Sequence, residues 1–187
     1  MGHDLLKGVK KPVEEFENPV IQAILARRSI RRFQQKPVEP EKVDCLVECA
    51  CAAPTAANSR PWHFIVVDER AVLDALGEAH PYGKMLYQAP LAVVVCGDPE
   101  KSDFARLYWE EDCSAAMENL QIAAHALGLG SVWLGVRHST EREQAVRHIL
   151  GIPQKIAVLG IAAIGYPDEV KPPHEGIDPG SLHLNRW

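Results

Sequence analysis

Apolar positions along this chain follow two spacings. Val20, Ile21, Ile24 and Leu25 recur at helical spacing, and Val43, Leu46, Val47 and Ala50 repeat the pattern. Asn18 before Pro19 predicts a capped helix start with proline at the first helical position. Pro37 and Pro40 interrupt the chain, and a second helix is expected from Pro40 to about Ala52. Four dense apolar runs predict strands: Trp62 to Val67, Leu91 to Cys96, Ser131 to Val136 and Ile156 to Ile164. Runs without polar alternation imply a sheet covered on both faces. Asp68 is placed to cap a helix bearing Val72, Leu73 and Leu76. The longest helix is expected from about Tyr108 to Leu127. Cys113, Met117, Leu120, Ala124 and Leu127 form one face, and Gly128 and Gly130 end it. Thr140 is placed to cap a last helix that ends near Leu150, with Gly151 as its stop.

This order predicts an α+β fold without regular βαβ units or internal repeats. The dinucleotide-binding glycine signature after a first strand is absent. A length of 187 residues, 47% of them hydrophobic, suits one domain over residues 1–187. Residues 1–17 read as an N-terminal arm with little core pattern, and residues 166–187 as a proline-rich tail. The tail is too long and polar to be core, yet it carries Leu182, Leu184 and Trp187. Such apolar anchors fit wrapping over a second subunit, with packing on the chain's own domain as the alternative.

No apolar stretch approaches the roughly 20 residues that span a bilayer. Met1 to Lys11 lacks the apolar core of a secretory signal. A formal net charge of -5 argues against a broad nucleic-acid surface. Five cysteines in no framework pattern read as reduced, cytoplasmic thiols. Cys45 and Cys49 share a helical face but Cys51 does not, and no fourth ligand accompanies them. They read as small packed side chains, not as a metal site.

Charge changes the picture at one place. Arg27, Arg28, Arg31 and Arg32 crowd behind the first helix of an acidic protein, so they need an anion or acidic partners. Arg27 and Arg31, with Ser29 between them, have the forks and hydroxyl to satisfy a phosphate. Salt bridges to nearby carboxylates are the alternative. A small-residue turn, Ala53 to Trp62, lets backbone approach a ligand, and Asn58 in it can both donate and accept. Gly128 to Gly135 is a third element, whose glycines bring amides close to a ligand or simply end a helix. No nucleophile elbow and no His-Glu-x-x-His segment is present. His80, His125, His138 and His148 read as surface or structural residues, and Asp112 and Glu118 form no evident acid–base pair. With no catalytic side chain assigned, the pattern suits an enzyme whose cofactor carries the chemistry.

The ordered set Arg27 to Phe33, Ala53 to Trp62 and Gly128 to Gly135 closely resembles the FMN-dependent nitroreductase family. Pro90 to Cys96, Glu118-Asn119-Leu120 and Ile164 to Pro167 extend the likeness from about Pro19 to Trp187. The resemblance implies a mixed, largely antiparallel sheet flanked by helices. It also implies a homodimer with FMN at the subunit interface and a tail crossing the partner. By the same resemblance Arg27, Arg28, Ser29 and Arg31 meet the phosphate and ribityl region. Pro54, Thr55 and Asn58 line the ring, from the same or the other subunit, and Leu134 and Gly135 present backbone to it beside Trp133. The implied activity is hydride transfer from NADH or NADPH to a small electron-poor acceptor such as a nitroaromatic or quinone. An ene-reductase, a dehalogenase, a flavin-destroying enzyme and a non-enzymatic flavin module are the alternatives. Two positions depart from the family pattern. Arg60 stands where glutamine is common, and Gly176 where a late basic residue is common, with Lys171, His174 or Arg186 as substitutes.

Overall fold

The computed structural model describes residues 18–172, 174, 176 and 178–187, so the arm expected over residues 1–17 lies outside the described residues. The elements are α1 (Pro19–Ala26), α2 (Pro40–Cys51), β1 (Trp62–Val67), α3 (Arg70–Ala79), β2 (Leu91–Gly97), α4 (Asp103–Ala126), β3 (Gly130–Gly135), α5 (Thr140–Leu150) and β4 (Ala157–Gly165). Short 3-10 turns cover Ala56–Asn58, Lys84–Tyr87 and Pro179–Ser181.

The four strands form one sheet in the order β1-β2-β4-β3, antiparallel throughout. A parallel bridge between Ser29 and Ser131 adds the mixed character expected of it. Side-chain alternation along β2 divides the core. Ala92, Val94 and Cys96 meet Leu73, Leu76 and Val146 of α3 and α5. Leu91, Val93 and Val95 meet Leu46, Met117 and Leu120 of α2 and α4. The sheet is therefore covered on both faces, as its apolar runs require. Burial pushes the Cys96 and Cys113 thiols up to about 12, so both are packed, unreactive side chains.

Several boundaries differ from the sequence expectation. Helix α4 begins at Asp103, five residues before Tyr108, with Ser102 Oγ accepting from the Ala105 amide at 3.0 Å. Its first turns carry exposed Phe104, Leu107 and Tyr108, which make no inward stripe to read. Asp68 does not cap α3; Glu69 holds that position and makes no side-chain cap bond. The cap of α5 is Ser139, not Thr140, which is the first helical residue. Asn18 does cap α1, accepting from the Val20 and Ile21 amides at 2.9 and 3.3 Å. Gly151 closes α5 in the left-handed region at φ 64°.

The apolar stripe of α1 packs only in part, and no residue of that helix is fully buried. Val20 is 62% and Ile24 49% exposed. Tyr166 ties the chain after β4 to the start of α2, its hydroxyl donating to Glu39 and accepting from Lys42 Nζ at 2.7 Å. That hydrogen bond holds the Glu39 carboxyl at about 2. No described helix is long and apolar enough to cross a membrane.

Candidate functional site

The arginine segment is clipped to the outer edge of β3. The Ile30 amide donates to the Ser131 carbonyl at 2.9 Å. A Cβ on Gly130 would stand 2.8 Å from Ile30, so only glycine lets the two lie this close. Gly165, the ladder partner of Gly130, likewise leaves room for Pro90, which a Cβ would meet at 2.6 Å, and for Phe33, at 3.1 Å. Beneath this clip, Gln121 Nε2 reaches the buried Ser131 hydroxyl at 3.4 Å.

The four arginines diverge from there. Arg27 Nε donates to Glu118 Oε1 of α4 at 3.1 Å. Arg28 turns back on the end of α1, donating to the Leu25 carbonyl at 2.9 Å, and its Nε holds the tail at the Pro172 carbonyl, also at 2.9 Å. Its Nη2 is buried with no partner among the described residues. Arg32 pairs with Asp168 at 3.5 Å. The Arg31 side chain is exposed and has no ion pair among the described residues, while Glu169 Oε1 accepts from the Arg31 and Arg32 amides at 2.5 and 3.2 Å. Lys171 binds the other oxygen of Glu169 at 2.6 Å and holds that carboxyl below the usual range. Lys171 is therefore already engaged. His174 accepts from the Gly176 amide at 3.0 Å, and Arg186 is exposed.

Ladder alternation decides which backbone groups of β3 face outward. Since Ser131 hands its carbonyl to Ile30, Trp133 and Gly135 also face out, and Val132 and Leu134 face β4. The Trp133 amide and carbonyl and the Gly135 amide have no partner among the described residues. Leu134 is buried and paired opposite Ile161, and its amide and carbonyl face β4, so the structure does not present the expected Leu134 backbone at this edge. The Trp133 indole lies across Gly160, where a Cβ would come within 2.4 Å of its Nε1. The Gly135 carbonyl is held by His80 Nε2 at 3.0 Å and Arg142 Nη1 at 2.6 Å. His80 Nδ1 accepts from the Tyr82 amide at 3.1 Å, which leaves Nε2 to donate to Gly135. Gly128, at φ 76° in the turn after α4, and Gly135 both have open space beside them, whereas Gly130 is closed off by Ile30.

The Ala53–Trp62 turn lies elsewhere. Ala57, Asn58 and Arg60 hold φ values of 49°, 56° and 46°, three left-handed residues other than glycine within four positions. Asp112 of α4 keeps them there, accepting from the Ala56 amide at 2.9 Å and the Ser59 hydroxyl at 3.2 Å. Asn58 is exposed, with Oδ1 accepting from Arg60 Nε at 2.8 Å. Thr55 Oγ1 accepts from the Arg60 amide at 3.2 Å, and Pro54 is exposed beside it.

Helix α4 therefore braces both segments, through Glu118 for Arg27 and Asp112 for the turn. Those two acids lie six residues apart, which puts them roughly 120° apart around the helix axis. The arginine segment and the turn leave α4 on different flanks. Asp112, Glu118 and Glu169 carried no assigned role in the sequence. Their partners lie 56, 91 and 138 positions away, and no local spacing signals such a pairing. Among the described residues, no three His, Cys, Asp or Glu side chains gather into a metal-binding set.

An antiparallel sheet between helix pairs carries a basic segment clipped to its edge strand and a strained turn braced by the long helix. The profile of the Nitroreductase family matches residues 24–81 and 76–166. A provisionally named NADH dehydrogenase/NAD(P)H nitroreductase of Archaeoglobus fulgidus is 42% identical over 170 residues, covering 89% of this chain and 98% of its own. The crystal structure of a protein of Parabacteroides distasonis with the same provisional name is 40% identical. It superimposes with a TM-score of 0.87 over 91% of this chain and 100% of that one. A provisionally named nitroreductase of Desulfovibrio desulfuricans, solved in complex with FMN, is 30% identical with a TM-score of 0.78, over 92% of this chain and 99% of that one. The chain belongs to the nitroreductase family.

Proposed function

We propose that this protein is a homodimeric FMN-dependent oxidoreductase. It takes hydride from NADH or NADPH and passes it to an electron-poor acceptor such as a nitroaromatic or quinone. The observation that carries this reading is the division of one site between two flanks of α4. Each chain bears an anion-binding half and a ring-lining half that diverge, and a second copy supplies the missing half to each.

The residues fit the cofactor. The buried Nη2 of Arg28, without a partner among the described residues, and the exposed guanidinium of Arg31 suit a phosphate. From Ser131 to Gly135 the edge of β3 runs about 13 Å, the scale of a nucleotide laid along it. Arg27, Arg28, Ser29 and Arg31 are assigned to the phosphate and ribityl end, and the outward Gly135 amide with Trp133 to the ring. Pro54, Thr55 and Asn58 of the partner copy are assigned to the other side of the ring. When bound, FMN supplies the hydride acceptance and donation that no side chain here provides. The chain's part is positional: His80 and Arg142 fix Gly135, Glu118 holds Arg27, and Asp112 holds the Asn58 turn.

The test is the visible spectrum of the purified protein before and after NADH or NADPH is added without air. Flavin absorbance that bleaches, and returns on adding a nitroaromatic or quinone, is expected. A colourless protein that cannot be loaded with FMN would refute the proposal. A yellow protein that neither nicotinamide bleaches would leave a flavoprotein without this activity.

A further inference from the structure

Arg60 is a cation for which hydride transfer has no use, yet its position is fixed from three sides. Its amide is held by Thr55 Oγ1 and its Nε by Asn58 Oδ1, while its carbonyl accepts from Lys101 Nζ. Its backbone stands at φ 46°, a region that a bulky residue keeps only when the surroundings impose it. A guanidinium only donates, so the Asn58 amide turns its oxygen to Arg60 and leaves its NH2 group for another partner. The two Nη groups of Arg60 have no partner among the described residues, and the side chain is exposed.

Two acids near this turn are committed elsewhere. Asp112 serves Ala56 and Ser59, and Asp98 serves Lys155 Nζ at 3.1 Å and the Glu100 amide at 3.0 Å. A guanidinium anchored at Nε and free at Nη presents donors suited to a carboxylate or phosphate. The Lys101 ammonium, seated on the Arg60 carbonyl, adds a second positive charge at the same turn.

We propose that Arg60 selects anionic substrates. It pairs with the carboxylate of an acceptor or the 2′-phosphate of the nicotinamide donor, two sources of one oxyanion chemistry. The inference rests on the flavin reading, which sets the Asn58 turn beside the reacting ring. Arg60 determines specificity and takes no part in hydride transfer.

The experiment compares kcat/KM for 4-nitrobenzoate against 4-nitrobenzamide, and for NADPH against NADH, in the FMN-loaded enzyme and in Arg60→Gln and Arg60→Lys. Glutamine can still donate to Asn58 but carries no charge, and lysine keeps the charge. The enzyme is expected to prefer the anionic member of one pair. Arg60→Gln should lower that preference about tenfold, with turnover of the neutral member unchanged, since a charged hydrogen bond is being lost. Arg60→Lys should retain part of it. Equilibrium titration of the oxidised enzyme with 4-nitrobenzoate or NADP+ should show the same shift in Kd. A fall in the acceptor pair identifies a carboxylate, and a fall in the donor pair identifies the phosphate. Both ratios and both Kd values unchanged in Arg60→Gln would overturn the proposal. A yellow enzyme that no nicotinamide bleaches overturns the reductase reading alone, because the titrations still report on Arg60.

Discussion

Asp112 is 5% exposed and holds the Ala56 amide and the Ser59 hydroxyl on its two oxygens. A carboxylate so nearly removed from water is retained because both oxygens are satisfied, and in return it holds a turn with three left-handed residues. Asp112→Ala removes two hydrogen bonds to a charged group and leaves a partly buried amide unpaired, so we expect a loss of about 3 kcal/mol in urea unfolding. Asp112→Asn keeps one acceptor and should lose about half as much. A loss in Asp112→Ala within error of zero would show that the turn is held by other contacts. Nothing in the sequence marked this residue. It reads as one more acid on a helix, and its partners become neighbours only when α4 crosses the start of β1.

At the scale of elements, the clip between the arginine segment and β3 depends on missing side chains. Ile30 and Phe33 dock where Gly130 and Gly165 face each other across the ladder. Gly130→Ala would place a methyl group 2.8 Å from Ile30. Overpacking of this kind costs about 1–3 kcal/mol, and the segment can relieve it by lifting from the sheet edge. We therefore expect the FMN dissociation constant to rise at least about tenfold while far-ultraviolet circular dichroism is retained. A lower melting temperature with unchanged flavin affinity would make the clip purely structural. The strands themselves were legible within a residue at most ends, because unbroken apolar runs bounded by glycine, proline and polar residues admit few other readings. The start of α4 was not, since Phe104, Leu107 and Tyr108 turn away from the core and break the inward period.

At the scale of the whole molecule, one chain leaves apolar surface uncovered at α1 and along the tail. Val20 and Ile24 face out, as do Val170, Leu184 and Trp187, the last wholly exposed. Large apolar side chains left exposed in this number fit against a partner, and the proposed dimer supplies a second copy. Ile24→Glu should therefore give a monomer by sedimentation and release flavin, because in the proposed dimer each site needs both chains. A flavin-loaded dimer persisting in Ile24→Glu would remove α1 from the interface. The sequence by itself determined the element order, the two-sided sheet and the family, because apolar period, caps and an ordered set of short motifs are local properties. Tertiary structure alone decided which arginine meets which acid, and that Leu134 turns inward while Gly135 opens outward. It also decided that Arg60 is fixed on Asn58 and that the arginine segment and the Asn58 turn are braced on different sides of α4. Those facts depend on ladder parity, helix rotation and contacts between residues tens of positions apart, which spacing along a chain does not encode.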